Sequence, residues 1–196
     1  GTATVKVTLK DKYTGSALAN FEIKKKTPAK DDFDITLPES KVYDANERTA
    51  SVSLKTPYTD CGAVTVYYTG TGKTQYAKTK EAPTLPGSYK VTFDVAGGQN
   101  FNSVQGLEAG SFTIGRKTAQ REDFVFTAPE NLVYSGTAKA ATAKLEGADD
   151  ITLKYYKEGI EAEPKNVGTY AVKATCAEST YYGAVEEQEI GTFAIN

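Results

Sequence analysis

The chain is 196 residues long and nearly neutral, with 23 basic and 25 acidic residues, so nothing in its charge calls for nucleic acid or an anionic membrane as a partner. It has no His, the commonest general base and zinc ligand, and no Trp, the best platform for stacking on a sugar or a cation. No run approaches the ~20 apolar residues of a membrane span, so this segment is expected to make no membrane contact.

At the start of the chain, Val5-Lys6-Val7-Thr8-Leu9 alternates with period two, Tyr13-Thr14-Gly15-Ser16 supplies turn residues, and Asn20-Phe21-Glu22-Ile23 alternates again. That pattern predicts a β-hairpin. The lysine-rich stretch from Lys24 to Lys30 reads as a short link. Phe33, Ile35 and Leu37 then alternate with Asp34 and Thr36, which predicts a strand with one buried face. Pro38-Glu39, Val42-Tyr43 and the pair Asp44 and Asn46 break and turn the chain. A middle strand follows at Val64-Thr65-Val66-Tyr67-Tyr68, with Val64, Val66 and Tyr68 facing inward. The Gly-rich loop from Thr69 to Tyr76, Pro83, a strand from Pro86 to Val95, a turn carrying Phe101 and a closing strand Ser111-Phe112-Thr113-Ile114 complete the unit. A second short link runs from Gly115 to Arg121.

The series then starts again. Phe33 to Asn46, FDITLPESKVYDAN, returns as FVFTAPENLVYSGT from Phe124 to Thr137, and PGSYKVTFDV from Pro86 returns as VGTYAVKATC from Val167. The second middle strand turns Ile151, Leu153 and Tyr155 inward, and Tyr182 and Thr192-Phe193-Ala194-Ile195 match the aromatic turn and closing strand. A unit of roughly 80 to 90 residues can close its own core, unlike a solenoid turn. The expected fold is all-β: tandem immunoglobulin-like β-sandwiches at 28–117 and 118–196, joined end to end by short links. Phe21 and Ile23 stand where Phe112 and Ile114 do, so residues 1–27 read as the last two strands of a further, incomplete repeat. Two strands cannot bury a core alone, so this hairpin is expected to pack on the first full domain or on another copy of the molecule.

Two cysteines cannot make a disulfide framework for two domains. Cys176 alternates with Lys173 and Thr175 on the buried side of its strand, in the slot that Val95 fills, and is expected to behave as a small core hydrophobe. Cys61 lies in a turn of the other repeat, so no bond between the two is expected.

Asn166-Val167-Gly168-Thr169-Tyr170-Ala171-Val172 resembles the tyrosine corner of immunoglobulin domains, with Val172 in place of the second Cys. Together with Val133-Tyr134-Ser135-Gly136, the Tyr-Tyr strand and the closing Gly-Thr-Phe-x-Ile, the chain resembles the MBG-type bacterial Ig-like repeats of large secreted and surface-attached proteins. That resemblance implies an extracellular or cell-surface location, a role in adhesion or spacing, and no catalytic residue. The partners it implies are other domains of the same surface protein, and a host or matrix protein or a glycan.

The absence of His, the repeat and the small cores argue against an enzyme. Asp31, Asp32 and Asp34 could gather as hard oxygen ligands, but the second copy offers only Glu122 and Asp123, so a solvated edge is expected and neither metal nor cofactor is assigned. Glu186, Glu187 and Glu189 are expected to be solvated beside the closing strand. Tyr43, Tyr68, Tyr89, Tyr134, Tyr155 and Tyr170 recur at matching places and are expected to be structural, whereas Tyr58, Tyr67, Tyr76, Tyr156 and Tyr181 lack a repeated inward role. Tyr67 and Tyr76, beside the Gly-rich loop, are the candidate ligand-binding residues, because exposed loop aromatics are the contact surface a rigid sandwich most readily offers. The functional expectation is a non-catalytic module acting as stalk, spacer or adhesive element, with a pair of carbohydrate-binding modules as the alternative.

Overall fold

A computed structural model describes residues 1–196. It is all-β apart from two single-turn 3-10 segments, Lys30–Asp32 and Arg121–Asp123. The strands in chain order are β1 Thr2–Thr8, β2 Ser16–Glu22, β3 Phe33–Thr36, β4 Lys41–Val42, β5 Ser51–Leu54, β6 Val64–Thr71, β7 Gly87–Val95 and β8 Val104–Gly115. They continue as β9 Phe124–Thr127, β10 Thr142–Leu145, β11 Thr152–Lys157, β12 Ile160–Glu161, β13 Gly168–Cys176 and β14 Val185–Ile195. Two four-stranded sheets, β4-β8-β7-β6 and β12-β11-β13-β14, and three two-stranded ones, β1-β2, β3-β5 and β9-β10, account for all of them. The chain divides into two compact units, one of Gly1–Pro38, Arg48–Pro83 and Ser88–Phe112, the other of Glu39–Glu47, Thr84–Gly87 and Thr113–Asn196.

In the first unit, the alternation of β7 sends Tyr89, Val91, Phe93 and Val95 inward, each at most 2 % exposed. β3 and β5 pair antiparallel with Phe33 opposite Leu54 and Ile35 opposite Val52, which puts their apolar set on one side. The Phe33 ring meets Phe93 edge-on, centroids 5.0 Å apart, so the small sheet closes over the large one. Val64 and Val66 are half-buried and Tyr68 is fully so.

The second unit is built on the same terms. Tyr170, Val172, Ala174 and Cys176 of β13 are buried, and β9 pairs with β10 so that Phe124 faces Leu145 and Phe126 faces Ala143. Cys176 therefore occupies the core position that Val95 has in β7, and both it and Cys61 are buried free thiols. A glycine at one place in each closing strand makes the layers fit. A methyl group on Gly110 would collide with Leu37, and one on Gly191 with the Phe126 ring.

The recurring tyrosines act through their hydroxyls as much as their rings. Tyr68 accepts a hydrogen bond from the Ala50 N–H at 2.8 Å and Tyr155 one from the Ala141 N–H at 2.9 Å. Tyr170 donates to the Asn166 carbonyl at 2.9 Å, which is the corner that its motif implies. Tyr89 and Tyr170 stack on Phe112 and Phe193 respectively. Tyr134 departs from the expectation: the residue is 53 % exposed, and its backbone N–H donates to the Asn196 carbonyl at 2.8 Å.

The N-terminal hairpin forms, with Ala3 opposite Phe21 and Val5 opposite Ala19, but it does not pack on the first domain. All but one of the residues in β1 and β2 are exposed. The core that might have received them is already closed by Phe33, Phe93 and Phe112, leaving no vacant apolar face there.

Tyr68→Phe and Tyr155→Phe each remove the acceptor of a backbone N–H that packing shields from water, so each should lower the unfolding free energy by about 1 to 3 kcal/mol. Urea denaturation of the two variants checks this; unchanged midpoints would show that water reaches Ala50 and Ala141.

Candidate functional site

Tyr67 points away from the core beside buried Tyr68. The segment carrying Thr79 runs antiparallel to β6, with the Tyr68 N–H donating to the Thr79 carbonyl at 2.8 Å and the reverse bond at 3.0 Å. That pairing brings the Lys78 ammonium 4.3 Å from the centre of the Tyr67 ring, with Lys80 at 5.9 Å. One face of the ring is thus occupied by a cation.

Tyr76 is anchored differently. Its hydroxyl donates to the Glu81 carbonyl at 3.0 Å, its own carbonyl accepts from the Gly70 N–H at 2.8 Å, and its ring stands edge-on to Tyr89 at 5.4 Å. The loop between them is a tight turn closed by the Thr74 N–H to the Thr71 carbonyl, with Gly72 at a positive φ of 62°. The structure ties each of the two candidate tyrosines to its own surroundings.

The other unrepeated tyrosines are also engaged. Tyr58 lies edge-on to Phe101, Tyr181 stacks on Tyr43 with centroids 4.9 Å apart, and Tyr156 donates to Glu187 at 2.9 Å. Glu187 is the hub of a charged net: Lys173 lies 3.4 Å and Lys154 3.7 Å from its carboxylate, while Lys154 also pairs with Glu161 at 3.2 Å. Donation from Tyr156 and then Lys173 holds the Glu187 carboxyl below the usual range. The expectation of a merely solvated glutamate therefore holds for its exposure and misses its partners.

An open groove of about 670 Å³ lies beside this net, with Leu153, Tyr155, Ala138 and Ala140 among its apolar walls and the Lys154–Glu161 pair at its rim. Glu163 and Pro164 also line it.

Two further constellations were not foreseen from the sequence. Asp32 is 5 % exposed, accepts from the Ala29 N–H at 2.9 Å and pairs with the Lys26 ammonium. This corrects the reading of a solvated edge for Asp32, while Asp31 and Asp34 are exposed as expected. Lys26 also sits 4.4 Å from the centre of the Tyr58 ring, and its backbone N–H donates to the Asn100 carbonyl. In the second unit Asp123 accepts from the Gln120 N–H at 2.8 Å and from the Tyr182 hydroxyl at 3.0 Å, with Lys117 5.5 Å from the centre of that ring. Each carboxylate fastens the entering segment to its unit. The legible signal was placement: Asp32 and Asp123 each fall three residues after the backbone N–H they accept from and immediately before the first buried Phe. No three His, Cys, Asp or Glu side chains gather as a metal cluster would.

A family model described as MBG domain matches residues 128–196, the stretch that carries Val133-Tyr134-Ser135-Gly136 and Gly168-Thr169-Tyr170. No curated protein and no solved structure matches the chain.

Hydrogen bonding by Lys26 and then by the Ala29 N–H lowers the Asp32 carboxyl from its ordinary 3.8. Its stabilising contribution is therefore complete above that value and is lost as pH falls through the lowered one. Asp32→Asn should flatten the acid limb of the stability curve, and an unaltered limb would assign acid unfolding to other groups. Tyr182 runs the opposite way, since burial and then the Asp123 hydrogen bond push it up to about 12. Its contribution is present below its ordinary 10.0 and fades as pH rises toward 12. Difference titration of tyrosinate absorbance should show the highest step missing in Tyr182→Phe.

Proposed function

We propose that this chain is a non-catalytic module of a bacterial surface or secreted protein, extracellular in location, where it serves as a stalk or spacer or in adhesion. The MBG domain at residues 128–196 supports the surface-protein reading. The observation that carries the spacer role is how the ends of the closing strands are held. β4 pairs parallel to the end of β8, with Lys41 opposite Ile114 and Val42 opposite Gly115, and the Tyr43 N–H donates to the Gly115 carbonyl at 2.8 Å. The segment at Leu132 and Tyr134 holds Asn196 in the same way: Asn196 N–H donates to the Leu132 carbonyl at 2.9 Å and Tyr134 N–H to the Asn196 carbonyl at 2.8 Å. A pull on the chain beyond such a clamp loads its bonds side by side in shear, so they must fail together.

The paired state of the polar side chains supports the absence of catalysis. Glu187, Lys154, Asp32 and Asp123 are each already bonded to a partner. The capping of Tyr67 by Lys78 and the tethering of Tyr76 speak against a carbohydrate platform at that place.

Stretching single molecules by their ends tests the spacer role. Tyr43→Pro and Tyr134→Pro delete one clamp N–H each and should lower the unfolding force while leaving the rest of each sheet paired. Unfolding without a resolvable force peak in the wild-type chain would dispose of the idea. A glycan array with wild type and the Tyr67→Ala plus Tyr76→Ala chain addresses the alternative, and no tyrosine-dependent glycan signal is expected.

A further inference from the structure

We propose that Asp32, Tyr58 and Phe101 form an ammonium-binding cage, that Lys26 fills it from within the chain, and that the vacated cage takes a free primary alkylammonium ion. The anion of the cage is buried. Asp32 is 5 % exposed, with Oδ2 accepting from the Ala29 N–H at 2.9 Å and Oδ1 turned to the Lys26 ammonium. The walls are aromatic. The ammonium lies 4.4 Å from the centre of the Tyr58 ring and 5.9 Å from that of Phe101, and the two rings stand at 90° with centroids 5.8 Å apart. Ring faces attract a cation within about 6 Å, so both walls and the carboxylate favour positive charge at the same place. Hydrogen bonding to Asp32 accordingly holds the Lys26 ammonium above its ordinary range.

The two units show why this cage exists in one of them. In the second unit Asp123 accepts from the Tyr182 hydroxyl at 3.0 Å, and Lys117 stands 5.5 Å from the centre of that ring. The first unit has Phe101 where the second has Tyr182, so no phenol occupies Asp32 and its Oδ1 is left to a cation. The second wall is particular to the first unit as well. The turn after β5 is closed by the Tyr58 N–H on the Lys55 carbonyl at 2.9 Å, whereas the turn after β10 is closed by Ala148 on Leu145 at 3.1 Å.

Lys26 enters this cage from a fixed point. Its backbone N–H donates to the Asn100 carbonyl and its carbonyl accepts from the Asn102 N–H, both at 2.9 Å, so the filled cage latches the link segment to the unit. The lysine side chain is 44 % exposed, and the cage therefore opens to solvent. Taking away the cation alone leaves a buried carboxylate unpaired, which favours the entry of another. Oδ1 selects its class, because a primary ammonium donates an N–H and a quaternary one has none to donate. n-Propylammonium supplies the atoms that Lys26→Ala removes.

Urea denaturation of the full-length Lys26→Ala chain, followed by circular dichroism, tests the cage in n-propylammonium chloride, with tetramethylammonium chloride at equal concentration as the control. n-Propylammonium should raise the midpoint saturably, as binding to the folded state requires, and tetramethylammonium should not. Neither ion should raise the midpoint of the wild type, whose cage is filled, or of the Lys26→Ala plus Asp32→Asn chain. Equal effects of the two ions, or a rise that persists in the double variant, overturn the proposal. So does a folded Lys26→Ala chain that n-propylammonium leaves unchanged up to about 100 mM. A second readout needs no cavity: lysine acetylation by limiting acetic anhydride, followed by peptide mass spectrometry. In the wild type Lys26 should react at least about threefold more slowly than exposed Lys24, since only the free amine is acylated, and Tyr58→Ala should narrow the gap. Equal rates at Lys24 and Lys26 in the wild type, or a gap that Tyr58→Ala leaves unchanged, likewise overturn it.

Discussion

In β13 every second side chain, Tyr170, Val172, Ala174 and Cys176, is at most 7 % exposed, and the neighbouring strands are arranged to keep it so. β11 and β14 pair on either side of it, while β9 and β10 contribute Phe124, Phe126 and Leu145 to the apolar face. Each large apolar side chain withdrawn from water contributes about 1.5 to 3 kcal/mol. The row, with Tyr170 and Val172 as its larger members, is therefore a sizeable fraction of the net stability of a small domain, about 5 to 15 kcal/mol. The same row in β7, Tyr89, Val91, Phe93 and Val95, has the same consequence. Small changes in fit matter at this scale. That is why a hydrogen in place of a methyl at Gly110 and Gly191 decides how closely Leu37 and Phe126 can approach.

With so little polar chemistry inside, the tyrosine hydroxyls carry the satisfaction of backbone groups that a sandwich leaves at its corners. Tyr68 and Tyr155 receive the N–H groups of Ala50 and Ala141, and Tyr170 receives and returns a bond at Asn166. The carboxylates do the corresponding work at the entrance to each unit. Asp32 answers with an ammonium partner and Asp123 with a phenol, so one position in the fold accepts from two chemistries. Wiring of this kind consumes functional groups. A tyrosine that donates to a carbonyl, or a lysine that lies on a ring, is unavailable to a substrate until that contact breaks.

How far the sequence foretold all this depended on what each signal measures. Period-two alternation reports which face of a strand is apolar, and so the inward sets of β7 and β13, and the role of Cys176, were legible residue by residue. The tyrosine corner was legible because its spacing is local. The cover over a face is a different matter, since alternation is silent about what lies against it. Hence the apolar side of β1–β2 was foreseen and its exposure was not. Asp32 was misread because three nearby acids look solvated in one dimension; only the turn places Asp32 under the Ala29 N–H. Tyr67 and Tyr76 were chosen for lacking a repeated partner, and the partners they have, Lys78 and Glu81, come from an extended loop that the second repeat lacks.

The distribution of satisfied and unsatisfied surface leads to one last step. A rigid sandwich whose polar groups are paired internally has little to offer a small ligand, but its strand faces and edges remain available to other strands. In this chain the β1–β2 hairpin has an apolar side made by the same period-two alternation that makes the cores of both units, the closure of one alternating sheet by another being the interaction that folds the protein.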